Sequence, residues 1–375
     1  METAFNELKQ ENSRLLREEL SRDAFAFQAL PEIVTLNHTN ACNLTCEICP
    51  RSRGGPAETI TESALKRVTR SLFPTALKAV LTMAGEPLLS DFDFLLSEAL
   101  HFGVRLDLFT NGLLLTPERY RSVRDPLDHL NLSLDSHIPE VYEKLRRGGS
   151  FEQIYANLSG LRELRRREPD DVLYSISAVV LRSNIESLAD FVRFAAWAGA
   201  DGVLLQRLRH DLMNLEEHDP ESAYSRQEMN AFLEEAGKAA QETGINLLRS
   251  DIGMPDVMVK PLRLRVPEPV ENDHLCSFLA QNFIVLFNGD VYPCCIPTDH
   301  YLGNVHEQDP LKIWNSPAFI KLRKDHVIRK GTVFCSGCSQ APYLSARRPA
   351  WFNEGLKKTR RLVCHLRRKA ARKTF

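Results

Sequence analysis

The sequence predicts an α/β protein, a partial (β/α)6 TIM-like barrel followed by a small cysteine-rich domain. Three observations predict it. Short β-rich apolar runs alternate with longer amphipathic stretches between about Glu32 and Leu208, the pattern of parallel strands joined by right-handed crossovers. Six such units fill that span, whereas a closed eight-unit barrel usually needs about 250 residues. Cysteines then return in a second group, from Cys276 to Cys338.

Taken in order, residues 1–30 read as a helical lead-in and residues 31–215 as the barrel. IVTLNHT is the first strand, TESALKRVTRSLF a helix opening on Thr61, KAVLTM the second strand and DFDFLLSEALHF its helix. VRLDLFT, a helix from about Thr116, HLNLSLD and helical segments from Pro139 to Arg167 continue the alternation. VLYSISAVV, IESLADFVRFAAWAG and DGVLLQRL complete six strands. Past Arg209 the pattern weakens into an acidic, mostly helical connector, residues 216–270, ending in the Pro-punctuated MPDVMVKPLRLRVPEPV. Residues 271–342 form the cysteine-bearing unit, with a hairpin expected in FIVLFNGDVYPCC around Asn288-Gly289. The tail, 343–375, is basic.

A chain of 375 residues with 43% hydrophobic content can bury a large core and form two or more folded units. METAFNELKQENSRLLREEL lacks the apolar core of a secretory signal, and no run of 18 or more apolar residues follows, so a soluble cytoplasmic protein is expected. In that compartment nine cysteines argue for metal or cluster ligation over a disulfide framework. From Arg347 to Phe375 there are 11 Lys or Arg against one acid, Glu354, so the near-neutral total hides a basic end. LKKTRRLVCHLRRKAARKTF suits an acidic partner, an anionic substrate or a membrane surface, or is a solvated terminal helix.

Chemistry concentrates in CNLTCEIC. Cys42, Cys46 and Cys49 follow the first strand and so fall at the C-terminal rim, where barrels of this kind build active sites. Three thiolates on a 4Fe-4S cluster leave one iron without a protein ligand, open to a molecule bearing an amine and a carboxylate. Zinc held by the three thiolates and a remote fourth ligand is the alternative.

A C-x3-C-x2-C loop after the first strand of a βα barrel resembles the radical S-adenosylmethionine (SAM) superfamily. That resemblance implies a SAM-binding 4Fe-4S cluster on Cys42, Cys46 and Cys49, reductive cleavage of SAM and hydrogen abstraction by a 5'-deoxyadenosyl radical. It also implies an external one-electron reductant such as flavodoxin or ferredoxin. MAGEPLL after the second strand strengthens it: Gly85 and Glu86 match the element that receives the SAM amino group, with Ala84 where a first glycine often stands. By the same resemblance Ser133 and Asp135, at the end of strand four, are candidates for SAM, Asp135 also for substrate or a helix cap. Arg182 is a candidate for the SAM carboxylate, Asn184 for ribose or a cap, and Gln206 with Arg207 for the adenine side or substrate. No catalytic acid or base stands out among Asp135, Arg182, Arg207, His210 and Asp211.

The second set, Cys276, Gly289, Cys294 and then CSGC with Cys335 and Cys338, resembles the SPASM auxiliary-cluster domain, as does GNVHEQDPLKIWNSPAFIKLR between them. Only Cys364 follows CSGC, so the resemblance is to the shortened twitch form, with one auxiliary 4Fe-4S cluster on Cys276, Cys294, Cys335 and Cys338. Four thiolates also suit tetrahedral zinc. Cys295 is a bystander or an alternative ligand. Family members with one auxiliary cluster favour small polyols, so oxidation, deoxygenation or epimerisation of a sugar or aminocyclitol is the leading expectation. A peptide- or protein-modifying maturase and a non-catalytic iron-sulfur or zinc protein are the alternatives.

Overall fold

The computed structural model describes residues 2–22, 24–81, 84–208, 215–250, 256–260, 275–294 and 300–327. Cys295, Cys335, Cys338, Cys364, His210, Asp211 and the basic tail lie outside the described residues. In chain order the elements are α1 (Glu2–Ser21), β1 (Ile33–Leu36), α2 (Glu62–Leu72), β2 (Lys78–Leu81), α3 (Phe92–Phe102), β3 (Arg105–Thr110), α4 (Pro117–Val123), β4 (Leu127–Ser133), α5 (Pro139–Leu145), α6 (Phe151–Arg167) and β5 (Leu173–Val180). There follow α7 (Leu188–Trp197), β6 (Gly202–Arg207), α8 (Arg226–Thr243), β7 (Asn246–Ser250), α9 (Ser277–Gln281), β8 (Asn282–Val285), β9 (Asp290–Tyr292), β10 (Gly303–Asn304), α10 (Pro310–Trp314) and α11 (Pro317–Val327). Among the described residues, no helix is long and apolar enough to cross a membrane.

The strands form one open sheet, in the order β10-β9-β8-β1-β2-β3-β4-β5-β6-β7. From β8 through β1 to β7 every neighbour is parallel, and β9 and β10 add an antiparallel edge. This is the mostly parallel, unclosed sheet of a partial barrel. Helix starts are fixed locally: Thr61, Thr116 and Ser150 each accept from a backbone N–H three residues on, capping α2, α4 and α6.

Strand alternation divides the sheet into two unlike faces. Leu106, Leu108, Leu130, Leu132, Tyr174, Ile176, Val203 and Leu205 are buried against the helices. The other face, turned into the barrel, carries Lys78, Asp107, His129, Asn131, Ser133, Ser175 and Ser177. At its foot the Lys78 ammonium sits 3.0 Å from Asp107 and 2.9 Å from Asp128, both ion pairs well shielded. Asp128 enters this group because the β3–β4 register shifts between Leu106 and Asp107.

Two features depart from the linear reading. A seventh unit, α8 and β7, continues the barrel beyond Arg207. The buried face of α8 is Leu233, Ala236, Gly237, Ala239 and Ala240, and so small a stripe leaves little apolar periodicity in the sequence. The hairpin of the cysteine-bearing unit also joins the barrel sheet, with β8 pairing parallel to β1 from Ile33–Asn282 to Leu36–Val285.

An enclosed arginine ties the lead-in segment to α9, α10 and α11. The Arg323 guanidinium lies 4.3 Å from the Phe27 ring, 4.1 Å from Trp314 and 4.2 Å from Phe319, and donates to the carbonyls of Leu279 and Phe25. Burial lowers its pKa to about 9. Trp314 Nε1 donates to Ala29 O at 2.9 Å, fastening the lead-in segment beneath α10.

Candidate active site

The loop after β1 is anchored on the segment that follows α5. Thr45 N donates to Arg147 O at 2.9 Å and Glu47 N to Leu145 O at 2.8 Å, while Glu47 pairs with Arg147. The loop therefore presents Cys42, Cys46 and Cys49 to a common cavity of about 320 Å³. Sharing its wall are Gly85, Glu86, Asn111, Ser133, Asp135, Arg146, Ser177 and Gln206.

Gly85 is where only glycine fits. Its φ is +74°, and a Cβ there would lie 2.5 Å from Thr39 O and 2.7 Å from Ala41 O. The close approach lets Glu86 N donate to Ala41 O at 2.7 Å, which locks the loop after β2 to the entrance of the cysteine loop. The Glu86 carboxylate is 1% exposed and accepts from Thr110 Oγ1 at 2.7 Å, Asn111 N at 2.8 Å and Leu88 N at 3.2 Å. Burial nonetheless raises its pKa, with those donors acting in the opposite direction. Asn111 Nδ2 donates to Asn43 Oδ1 and approaches Cys42 Sγ at 3.9 Å, so the TNG stretch closing β3 also supports the loop.

Asp135 adopts a left-handed backbone, φ 64°. One carboxylate oxygen accepts from Val179 N at 2.9 Å, and the other pairs with Arg146 at 2.8 Å in a shielded contact. Arg146 thus brings a cation beside Cys46. Burial raises the thiols of Cys42 and Cys46, the latter to about 11, although Arg146 opposes the shift at Cys46.

The structure places five of the six residues expected to contact the cofactor, Gly85, Glu86, Ser133, Asp135 and Gln206, around this cavity with the three cysteines. Arg182 is placed elsewhere. Asn184 accepts from Leu181 N and donates to Asp135 O and Val179 O; this tight turn buries Leu181 and leaves Arg182 exposed, its N–H bonded to His218 O. Arg207 faces the other side of β6, where it pairs with Glu221 at 3.4 Å beside a second cavity of about 460 Å³. Sequence reasoning missed Arg146 and Ser177. LRRGG offered two adjacent arginines without saying which turns inward, and Ser177 differs from other strand serines only by register.

None of the five described cysteines forms a disulfide. Among the described residues, no three His, Cys, Asp or Glu side chains converge on a point that could hold a single metal ion. A polynuclear cluster takes each thiolate on a separate iron, so three thiols spread around one cavity suit it. Cys276 caps α9 just before β8, and Cys294 follows β9. Because β9 runs antiparallel to β8, the hairpin returns Cys294 to the end of β8 where Cys276 enters, the opposite end of the β1–β8 pair from the cysteine loop.

The radical SAM superfamily model matches residues 36–195, and the SPASM model, an iron-sulfur cluster-binding domain, matches residues 276–339. The chain is 33% identical over 184 residues to the mycofactocin maturase MftC of Mycolicibacterium smegmatis, covering 48% of this chain and 45% of that protein. It is 26% identical over 176 residues to a GTP 3',8-cyclase of Limosilactobacillus fermentum, covering 45% of this chain and 52% of that one. The chain spans about half the length of these curated relatives. In fold it is similar to Streptococcus suis SuiB bound to its precursor peptide SuiA, with a TM-score of 0.60 at 17% identity over 84% of this chain and 71% of that one.

Proposed function

We propose that this chain, a radical SAM protein carrying a SPASM iron-sulfur module, cleaves S-adenosylmethionine reductively and modifies a peptide or protein by hydrogen abstraction. The observation that carries the reading is the meeting of three thiols with Gly85, Glu86, Ser133 and the Asp135–Arg146 pair around one cavity. A 4Fe-4S cluster held by Cys42, Cys46 and Cys49 would supply an open coordination site for the methionine end of SAM and the electron needed for its reductive cleavage.

The protein's own residues hold and orient. Cys42, Cys46 and Cys49 supply thiolates; burial raises the thiols of Cys42 and Cys46, and Arg51 opposes that shift at Cys42 as Arg146 does at Cys46. Backbone carbonyls at Gly85, with Glu86 behind them, receive the SAM ammonium. Arg146, held by Asp135, faces the SAM carboxylate; Ser133 and Gln206 offer polar contacts to the nucleoside. Cys276 and Cys294, with Cys335 and Cys338, hold the auxiliary cluster.

The peptide assignment draws on the likeness to a maturase and to a peptide-bound enzyme of the same fold. The sugar and aminocyclitol reading gives way to it, and the oxidoreductase outcome with it, since the relatives are a maturase and a cyclase. A nucleotide substrate is the second reading, favoured by the cyclase likeness. Anaerobically reconstituted protein given SAM and a flavodoxin, ferredoxin or dithionite donor is expected to release 5'-deoxyadenosine. Serine in place of Cys42, Cys46 and Cys49 together should abolish that release. Stimulation by members of a peptide library supports the assignment, whereas stimulation only by nucleotides or sugars overturns it.

A further inference from the structure

We infer that the second cavity, on the outer side of β6, anchors the peptide substrate by reading an acidic side chain next to an apolar one. Arg226 takes the carboxylate, and the floor around Met229 and Leu233 takes the apolar group. The inference rests on the peptide reading proposed above and adds to it a docking site and a sequence preference.

The two cavities stand back to back at one end of the sheet. Consecutive residues of a strand point to opposite faces: Val179 and Gln206 line the cysteine-loop cavity, while their chain neighbours Val180 and Arg207 line the second. A peptide crossing the rim at β5 and β6 would leave one residue beside the cysteines and seat another behind the strands. At about 460 Å³ the second cavity falls within the usual range of ligand sites, about 300–1,000 Å³. Its floor is apolar: Val180, Ile185, Leu208 and Leu233 are buried and Met229 is half-buried.

The charges in the wall decide what the cavity takes. Arg207 pairs with Glu221 at 3.4 Å, Asp219 Oδ1 accepts from Glu221 N at 2.8 Å, and the Tyr224 hydroxyl donates to Glu186 at 2.8 Å. Arg226 and Asn230 differ. They line the cavity with Met229 and Leu233 from one face of α8, at the i, i+3, i+4 and i+7 positions, and among the described residues neither side chain makes a hydrogen bond or ion pair. The charge left without a counterpart is therefore positive and stands beside an apolar floor, the complement of a carboxylate flanked by an apolar side chain. Asn230 carries both a donor and an acceptor, as a peptide group does. A nucleotide suits the wall less, since Asp219 and Glu221 would repel its phosphates.

The test uses reconstituted holoenzyme and reads equilibrium binding together with KM and kcat for peptide-stimulated 5'-deoxyadenosine release. The probes are end-blocked peptides carrying Glu beside Leu, the same peptides with Gln or Lys for Glu or with Ala for Leu, and GTP. Wild-type protein is expected to bind the Glu-Leu peptides about tenfold more tightly than the Gln-Leu or Glu-Ala peptides. Arg226→Gln should remove the preference for Glu over Gln, raising KM more than it lowers kcat, and Arg226→Glu should turn the preference towards Lys. Arg226 is exposed, so both variants should keep the wild-type unfolding midpoint and iron content. A preference for Glu that survives in both variants overturns the inference, as does equal binding of all the peptides by wild type, or GTP binding that is lost in Arg226→Gln. Glu-dependent binding that follows residue 226 without deoxyadenosine release would sink the functional reading alone. Peptide-stimulated release indifferent to residue 226 would sink the inference alone.

Discussion

At Gly85 two requirements coincide, a positive φ and backbone oxygens within 2.7 Å of any added Cβ. Gly85→Ala must push the loop after β2 away from the cysteine loop and carry Glu86 with it. Deoxyadenosine release is expected to fall at least about 100-fold, while circular dichroism stays near wild type. Glu86 is sensitive for a different reason. Its two oxygens face only donors, Thr110 Oγ1, Asn111 N and Leu88 N. In Glu86→Gln one of those oxygens becomes an NH2 group opposing an N–H or O–H, a loss of about 1–3 kcal/mol by denaturant unfolding. The Asp135–Arg146 pair is the third such point. Arg146→Met leaves a buried carboxylate uncompensated and should cost about 3–5 kcal/mol, with SAM binding weakened in parallel.

Among the elements, α10 and α11 do more than cover the sheet edge. Trp314 is fully buried, touches Phe27, Phe283 and Phe319, and bonds to Ala29 O, so it connects the lead-in, β8 and α11. Trp314→Ala should cost about 4 kcal/mol and expose the segment around Phe27 to limited proteolysis before the barrel helices are cut. Cleavage beginning instead in α4 or α6 would contradict that role. The opposite flank is made differently: α8 lies close to α7 because its buried face is alanine and glycine, and Gly237 leaves room for Arg249, whose Nη2 would be 2.5 Å from a Cβ.

For the molecule as a whole, the charged foot of the barrel contributes to the response to acid through two groups that act with opposite sign. His129 has its pKa lowered to about 4 by burial and by Lys78, so the unfolded chain binds its proton more readily and stability falls as pH drops from about 6.5 towards 4. Asp107 is raised to about 6 by burial, against the pull of Lys78, so the folded chain binds that proton more readily and stability rises as pH drops from about 6 towards 4. Each effect is about 3 kcal/mol, and in the wild type they largely cancel. His129→Gln should therefore grow more stable on mild acidification and Asp107→Asn less stable, as read by urea midpoints at pH 7, 6 and 5. Parallel pH profiles in the two variants would show that the foot does not titrate this way.

The sequence by itself determined the local and periodic features. Apolar alternation marked the first six strands, Thr61 and Thr116 marked helix starts, and Cys42, Cys46, Cys49, Gly85 and Glu86 announced their site because backbone turns and thiol spacing are written in consecutive residues. The seventh unit escaped notice, as an alanine-glycine face carries almost no hydrophobic signal. Only the tertiary structure decided that β8 pairs with β1, that Arg146 turns into the cavity while Arg182 turns out, and that Arg207 lies on the other side of β6 from Gln206. Those outcomes depend on register and on groups distant in sequence, and a one-residue shift along a strand would reverse every side chain on it.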